Sequence, residues 1–260
     1  LIGIVQGIFE WLPISSEGNL TILLTALGSA PEEAVRYSLF LHLGTAFAAT
    51  SYYRHDIQEL LEVIPSLSET WRSESDFWFL VVGTLVSGVV GLLAYAALME
   101  AVTEIEGAIL VILIGVLLIG TGVFQRISGV ESDEDTPKSL RLLDAVLVGI
   151  GQGIAVLPGI SRSGTTVGVL LLRGYPGESS FRLSFLLSIP AAIGASLLVV
   201  VESGMPAMGS PVAGVVALVT SAIVGYLTIE ALMRLVERIS FWVICVALGG
   251  LAIIGGVLVL

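Results

Sequence analysis

Three stretches of this chain, residues 109–124, 183–201 and 241–260, are apolar all the way round a helix and about long enough to cross a hydrocarbon core of ~30 Å. A core helix of a water-soluble protein keeps a polar face at 3.6-residue spacing, and these keep none. The rest of the chain agrees: 55% of residues are hydrophobic, 13% are charged, and the mean hydropathy is +0.99. A water-soluble fold does not accommodate this pattern, so the predicted class is an all-α integral membrane protein.

Six segments read as full spans, at about 36–53, 76–97, 108–125, 181–201, 212–233 and 241–260. Two further apolar stretches, 1–30 and 143–174, are interrupted by a proline followed by serines and a glycine. The first break reads Leu12-Pro13-Ile14-Ser15-Ser16-Glu17-Gly18, the second Leu157-Pro158-Gly159-Ile160-Ser161-Arg162-Ser163-Gly164. The residue before a proline resists the helical region and glycine loosens the backbone, so each stretch is predicted to be a re-entrant helix–loop–helix. Broken backbone at membrane depth is tolerated only when buried in protein or lining a wet cavity.

The breaks belong to an internal repeat. Gln6-Gly7 matches Gln152-Gly153, Ser15 matches Ser161 and Gly18 matches Gly164, all at one offset. The same offset pairs Ser38-Leu39-Phe40-Leu41 with Ser184-Phe185-Leu186-Leu187. The expected organisation is a first repeat at 1–128, an acidic linker at 129–140 and a second repeat at 141–260. Each repeat holds one hairpin and three spans, an odd number, so the second must enter the membrane inverted relative to the first. Arg54, Arg72, Arg126, Lys138, Arg141, Arg173, Arg182, Arg234 and Arg238 then fall on one side, and only Arg36 on the other. By the positive-inside rule the first group is cytoplasmic, and the two hairpin tips meet near the midplane from opposite faces. Gly83, Ser87 and Gly91 are spaced by four and admit close helix contact, either inside the protomer or at a homodimer face.

Charge excludes one class of partner. Asp and Glu number 22 against 11 for Lys and Arg, a net charge of −11, so nucleic acid is not expected. Of the charges within the apolar stretches, Arg162 is the most informative, because an arginine there costs ~2.5–3.5 kcal/mol or more on insertion scales and needs compensation. Ser161, Ser163, Gly164, Thr165 and Thr166 surround it with hydroxyls and the N–H groups of a helix start, a combination suited to an anion such as phosphate. The other reading is a structural ion pair with Glu10 or Glu17 that holds the hairpins together. Gln6 and Glu10 are four apart and share a helix face, where the carboxylate could bind a hard divalent cation or take a proton. Ser15, Ser16 and Glu17 follow at the break. His42 lies in the first span, either as a hydrogen-bonded core histidine or as part of this site. His42, His55 and the lone Cys245 form no zinc-type cluster, and no Walker loop or nucleophile elbow is present.

At these residues the chain resembles a known family. Gln6-Gly7-Ile8-Phe9-Glu10-Trp11-Leu12-Pro13-Ile14-Ser15-Ser16-Glu17-Gly18 and Pro158-Gly159-Ile160-Ser161-Arg162-Ser163-Gly164 are similar to the two signature segments of the undecaprenyl-diphosphate phosphatases, the bacitracin-resistance type. The likeness extends through Leu41-His42-Leu43-Gly44-Thr45 and Phe185-Leu186-Leu187-Ser188-Ile189-Pro190, essentially the whole chain. It implies a multi-pass plasma-membrane enzyme that removes one phosphate from a polyprenyl diphosphate to give the monophosphate lipid carrier. It also implies a divalent cation, Mg²⁺ or Ca²⁺, near Glu10 and Gln6. Catalytic or phosphate-binding roles would fall to Ser16 and Arg162, with Ser15, Ser161, Ser163, Gly164 and Thr166 alongside. One position departs: the family's first signature ends in histidine, and here Asn19 stands in its place. Either Glu10 or Glu17 then takes the proton, or His42 reaches in, or the chain is a slow or repurposed relative. The same layout of broken helices also suits a polyprenyl-phosphate flippase, which would use the anion site without hydrolysis.

Overall fold

The computed structural model describes residues 1–62, 75–128, 140–206, 210–236 and 240–260. Among these the chain forms eleven helices and no strand. Two short pairs flank the breaks: α1 (Ile2–Phe9) with α2 (Ser16–Ala26), and α7 (Leu142–Ile154) with α8 (Arg162–Leu172). The long helices are α3 (Pro31–Tyr52), α5 (Ser75–Glu104), α6 (Gly107–Ser128), α9 (Gly177–Ser203), α10 (Pro211–Val236) and α11 (Phe241–Val259), and α4 (Arg54–Glu62) is a short polar helix after α3. Their starts follow local chemistry. Pro31 and Pro211 open α3 and α10, where a missing N–H costs nothing, while Ser15 and Ser161 cap α2 and α8.

Five helices, α5, α6, α9, α10 and α11, are long and apolar enough to cross a membrane. They expose large side chains such as Leu85, Leu93, Leu227 and Leu251, a surface that belongs against lipid. The chain is an all-helical, multi-pass membrane protein. The sixth expected span is α3, whose 22 residues reach about 33 Å but which is not apolar enough to join the five. Arg36, Ser38, His42 and Thr45 lower its hydropathy, and much of the helix is buried against α1, α2, α9 and α10. A helix wrapped by protein needs no lipid-facing coat, and its polar groups can serve the interior.

The helices pack in close pairs: α1 on α10, α7 on α5, α3 on α9 and α6 on α11. Small residues make the approach possible. A Cβ on Gly149 would lie 2.8 Å from Gly83 O, and one on Gly153 2.9 Å from Gly91 N. Gln152 Nε2 donates to Ser87 Oγ at 3.2 Å across the same seam. The Gly83, Ser87, Gly91 stripe is therefore used against α7 within the protomer and is not free as a face between copies. Gln125 lies within α6, and the acidic linker at 129–140 is outside the described residues apart from Leu140.

Gly159 in the second break has φ +103, and a Cβ there would lie 2.6 Å from Ile114 O of α6. Gly159→Ala combines left-handed strain with overpacking, about 2–4 kcal/mol together. The variant is expected to unfold in detergent at a clearly lower temperature, whereas Gly120→Ala, with open space around its Cβ, should match the parent chain.

Candidate active site

The two breaks touch, and Ser15 joins them. Its backbone is left-handed (φ 58, ψ 82), the only non-glycine residue at positive φ among those described. Ser15 Oγ accepts from Gly18 N at 3.2 Å, capping α2, and from Gly159 N at 3.1 Å in the other break. Gly18 is tight against the same loop, since a Cβ on it would lie 2.5 Å from Gly159 N. Ser161 caps α8 in the same way, accepting from Gly164 N at 3.1 Å. Helix α6 supports both loops. Thr121 Oγ1 donates to Gly159 O at 3.0 Å and accepts from Ser161 N at 3.3 Å, while Gln125 Nε2 donates to Pro13 O at 2.5 Å.

Glu10 is the hub of the site. Its Oε1 accepts from Arg162 Nη2 at 2.6 Å. Its Oε2 accepts from Ser16 Oγ at 2.6 Å and Gln6 Nε2 at 3.1 Å, and faces His42 Nε2 at 3.2 Å. One carboxylate thus gathers α1, α2, α3 and α8. The other ring nitrogen of His42 meets Ser38 O at 2.9 Å, so both face oxygen acceptors and the ring grips Glu10 rather than Ser16. Arg162 is held on two further sides: Nη1 donates to Ser184 O at 3.4 Å, and the guanidinium stands 5.5 Å above the Phe185 ring.

Two cavities open from this hub. A small one of about 30 Å³, room for about a water molecule, is lined by Glu10, Ser15, Ser16, Glu17, His42, Ser161, Arg162 and Ser163. A second of about 550 Å³ shares Glu10, Glu17, His42 and Arg162 and continues between α5 and α9 past Leu92, Tyr95, Leu198 and Val201. The second is mostly apolar beyond the shared charges, and its size is that of a small-molecule pocket. Hydroxyls, a guanidinium and carboxylates therefore meet where a polar pocket runs into an apolar one. Such a site suits a molecule with a charged head and a greasy tail.

The family model described as Bacitracin resistance protein BacA matches residues 1–253. The chain belongs to this family. A relative from Haloarcula marismortui, named undecaprenyl-diphosphatase, is 49% identical over 264 residues, covering 100% of this chain and 96% of its own length. Relatives of the same name from Methanococcoides burtonii and Methanopyrus kandleri are 37% and 39% identical, each covering 98% of this chain and 96% and 93% of their own lengths.

Eight of the residues expected from the signature segments and α3 line the small cavity: Glu10, Ser15, Ser16, Glu17, His42, Ser161, Arg162 and Ser163. The other three lie behind it. Gln6 is wholly buried and braces Glu10. Gly164 spends its N–H on the Ser161 cap and faces Gln125. Thr166 is wholly buried, with its hydroxyl 2.6 Å from Ser184 Oγ and 2.9 Å from Arg162 O, so it pins α8 to α9. Asn19, where the signature resemblance implies a histidine, donates to Ile14 O at 2.7 Å and Ser15 O at 3.0 Å, bracing the loop instead of reaching Ser16. Thr121, Gln125 and Ser184 were not anticipated as parts of the site. The available signal was the pair of polar residues four apart, Thr121 and Gln125, near the end of an otherwise apolar run.

For the divalent cation that the signature resemblance implies, the donors at hand are hard oxygens, the type Mg²⁺ and Ca²⁺ take. Gln6 Oε1 and Glu17 Oε1 are buried with no hydrogen-bond partner, and Glu10 lies between these residues in the chain. Among the described residues no three His, Cys, Asp or Glu side chains are placed to hold one ion together, so water or substrate oxygens would have to complete the shell.

Removing one member of a buried ion pair strands the other, at roughly 3–5 kcal/mol. Glu10→Ala leaves Arg162 without its carboxylate and is expected to lower the unfolding temperature in detergent markedly. Replacing both partners, Glu10→Met with Arg162→Met, should recover most of that loss in the same measurement.

Proposed function

We propose that the chain is a membrane phosphatase that removes the terminal phosphate from an undecaprenyl-type diphosphate, leaving the monophosphate lipid carrier. The single observation that carries this reading is the convergence of Ser16, Glu10 and Arg162 where the polar pocket opens into the apolar cavity. The names of the relatives support it. A polyprenyl-phosphate flippase finds no such support, and a hydroxyl poised on a carboxylate has no task in a carrier.

In this mechanism the diphosphate sits at the hub and the first isoprenoid units lie in the cavity between α5 and α9. Arg162 presents parallel N–H donors to the terminal phosphoryl oxygens, assisted by the Ser161 and Ser163 hydroxyls. Before the substrate arrives, Arg162 is paired with Glu10 and occupies one of its oxygens. An incoming diphosphate competes for the guanidinium and leaves Glu10 freer to take the Ser16 proton, which already points at it. Ser16 Oγ attacks the terminal phosphorus, the bond to the bridging oxygen breaks, and its electron pair leaves on the lipid monophosphate. Water then hydrolyses the phosphoserine, with Glu10 exchanging the proton in reverse. A divalent cation near Glu10 and Gln6 would supply further positive charge to the phosphate oxygens.

The placement in the cell membrane is part of the same proposal. The repeated pattern at one offset, together with the matching pairs α1 on α10 and α7 on α5, supports two inverted halves of one re-entrant hairpin and three spans each. The large cavity runs toward the ends of α5 and α9 that lie opposite the arginine-rich side, so the lipid would be met from the outer half of the bilayer. Single cysteines placed at 131–135 are expected to label only from the cytoplasm and those at 99–106 only from outside. Labelling of both from one face would end the inverted arrangement.

Activity is tested with purified protein, undecaprenyl diphosphate and Mg²⁺ or Ca²⁺, measuring released phosphate. Ser16→Ala should lose at least ~10²-fold, and Arg162→Lys ~10²–10³-fold despite its retained charge, because an ammonium lacks the planar fork. A folded parent chain that releases no phosphate would refute the reading.

A further inference from the structure

Glu17 differs from Glu10 and Arg162 in having a buried carboxylate oxygen that no described residue hydrogen-bonds. It is 5% exposed, lines both cavities, and its Oε1 is buried with no hydrogen-bond partner. A carboxylate withdrawn from water without a donor is costly, so something that enters the cavity must complete it. Among the described residues none donates a hydrogen bond to that oxygen, and His42 acts on Glu17 only through space while its ring grips Glu10. Its neighbour Glu10 already engages four donors, from Arg162, Ser16, Gln6 and His42.

We propose that Glu17 is a direct ligand of a divalent cation that bridges the protein to the substrate's phosphate oxygens. This rests on the phosphatase reading and deepens it. Charge balance leads to the same place. A diphosphate arriving at Arg162 brings negative charge up to a wall that already carries Glu10 and Glu17, and a hard cation between them turns that repulsion into attraction. The Gln6–Glu10 pair is closed on itself, because the Gln6 amide donates to Glu10, and it carries one charge rather than two. Glu17 adds the second carboxylate from the first turn of α2, next to Ser16. The small number of protein ligands fits Mg²⁺ chemistry, in which one or two carboxylates are joined by substrate phosphates and water.

Purified full-length protein in detergent is titrated with Mn²⁺, with and without inorganic phosphate, following the loss of the free-ion paramagnetic resonance signal. The parent chain is expected to bind, more tightly with phosphate present. Glu17→Gln should weaken Mn²⁺ binding at least about tenfold, since even outer-shell changes cost about that much. Mn²⁺ should raise the unfolding temperature of the parent chain and not that of Glu17→Gln. Glu17→Asp keeps the charge on a shorter arm and should bind with intermediate affinity, and it provides the comparison if the Gln variant does not fold. Equal Mn²⁺ affinity in the parent chain and a folded variant overturns the assignment. So does a parent chain that releases phosphate while binding no Mn²⁺, and in both cases the phosphatase reading stands. Mn²⁺ bound through Glu17 by a chain that releases no phosphate from the lipid diphosphate would instead remove that reading.

Discussion

The ion pair between Glu10 and Arg162, 2.6 Å long, joins residues 152 positions apart and makes two broken helices into one site. Either charge alone within an apolar helical bundle would be expensive, about 2.5–3.5 kcal/mol on insertion scales for the arginine. Together they are held by a surrounding frame, with Ser184 O and the Phe185 face on the guanidinium and Gln6, Ser16 and His42 on the carboxylate. The aromatic side of that frame continues outward. Phe185 packs 5.6 Å from Trp11, and Trp11 Nε1 donates to Gly225 O of α10 at 3.1 Å. The pair is thereby fixed to the long helices on both sides.

Irregular backbone inside such a bundle must have its polar groups met one by one. Ser15 Oγ serves N–H groups of both breaks, Asn19 serves two carbonyls of the first, and Thr121 serves a carbonyl and an N–H of the second. Gln125 reaches Pro13 O, and the Cys245 thiol lies 3.3 Å from the same oxygen, so α6 and α11 close the first loop from behind. Each of these contacts is modest, but together they let loops sit where water is scarce. The same accounting explains why polar side chains appear in helices that otherwise read as continuous apolar runs.

Equivalent places in the two breaks carry different chemistry. Ser16 opens α2 and Arg162 opens α8, each one residue after a serine cap, and both point at the same carboxylate. One break therefore offers a nucleophilic hydroxyl and the other a cation, across a gap narrow enough for Gly18 and Gly159 to touch. The following positions, Glu17 and Ser163, diverge in the same way, a carboxylate facing a hydroxyl across the small cavity. A site built from two similar breaks can be asymmetric when single residues within them differ.

Much of this was legible in the sequence because membranes restrict what a chain can do. Apolar runs must become helices, and a proline, serine and glycine cluster inside one must break it. An arginine there must find a partner, and Glu10 was among the partners to be expected. The six expected spans match α3, α5, α6, α9, α10 and α11 in position, although α3 proved too polar to be counted by composition. Which partner each side chain takes was decided only by the tertiary structure, because partners here are set by distance across helices far apart in sequence. Thr166 and Arg162, one turn apart on α8, are parted by the packing of α9: the hydroxyl is sealed against Ser184 while the guanidinium reaches the cavity. Asn19 turns back to its own loop, and Ser16 meets Glu10 rather than His42. Periodicity and composition determine which segments enter the membrane and where they break, since those follow from transfer free energies residue by residue. The pairing of charges and hydroxyls follows from how close the helices come, and that depends on small residues on both faces at once.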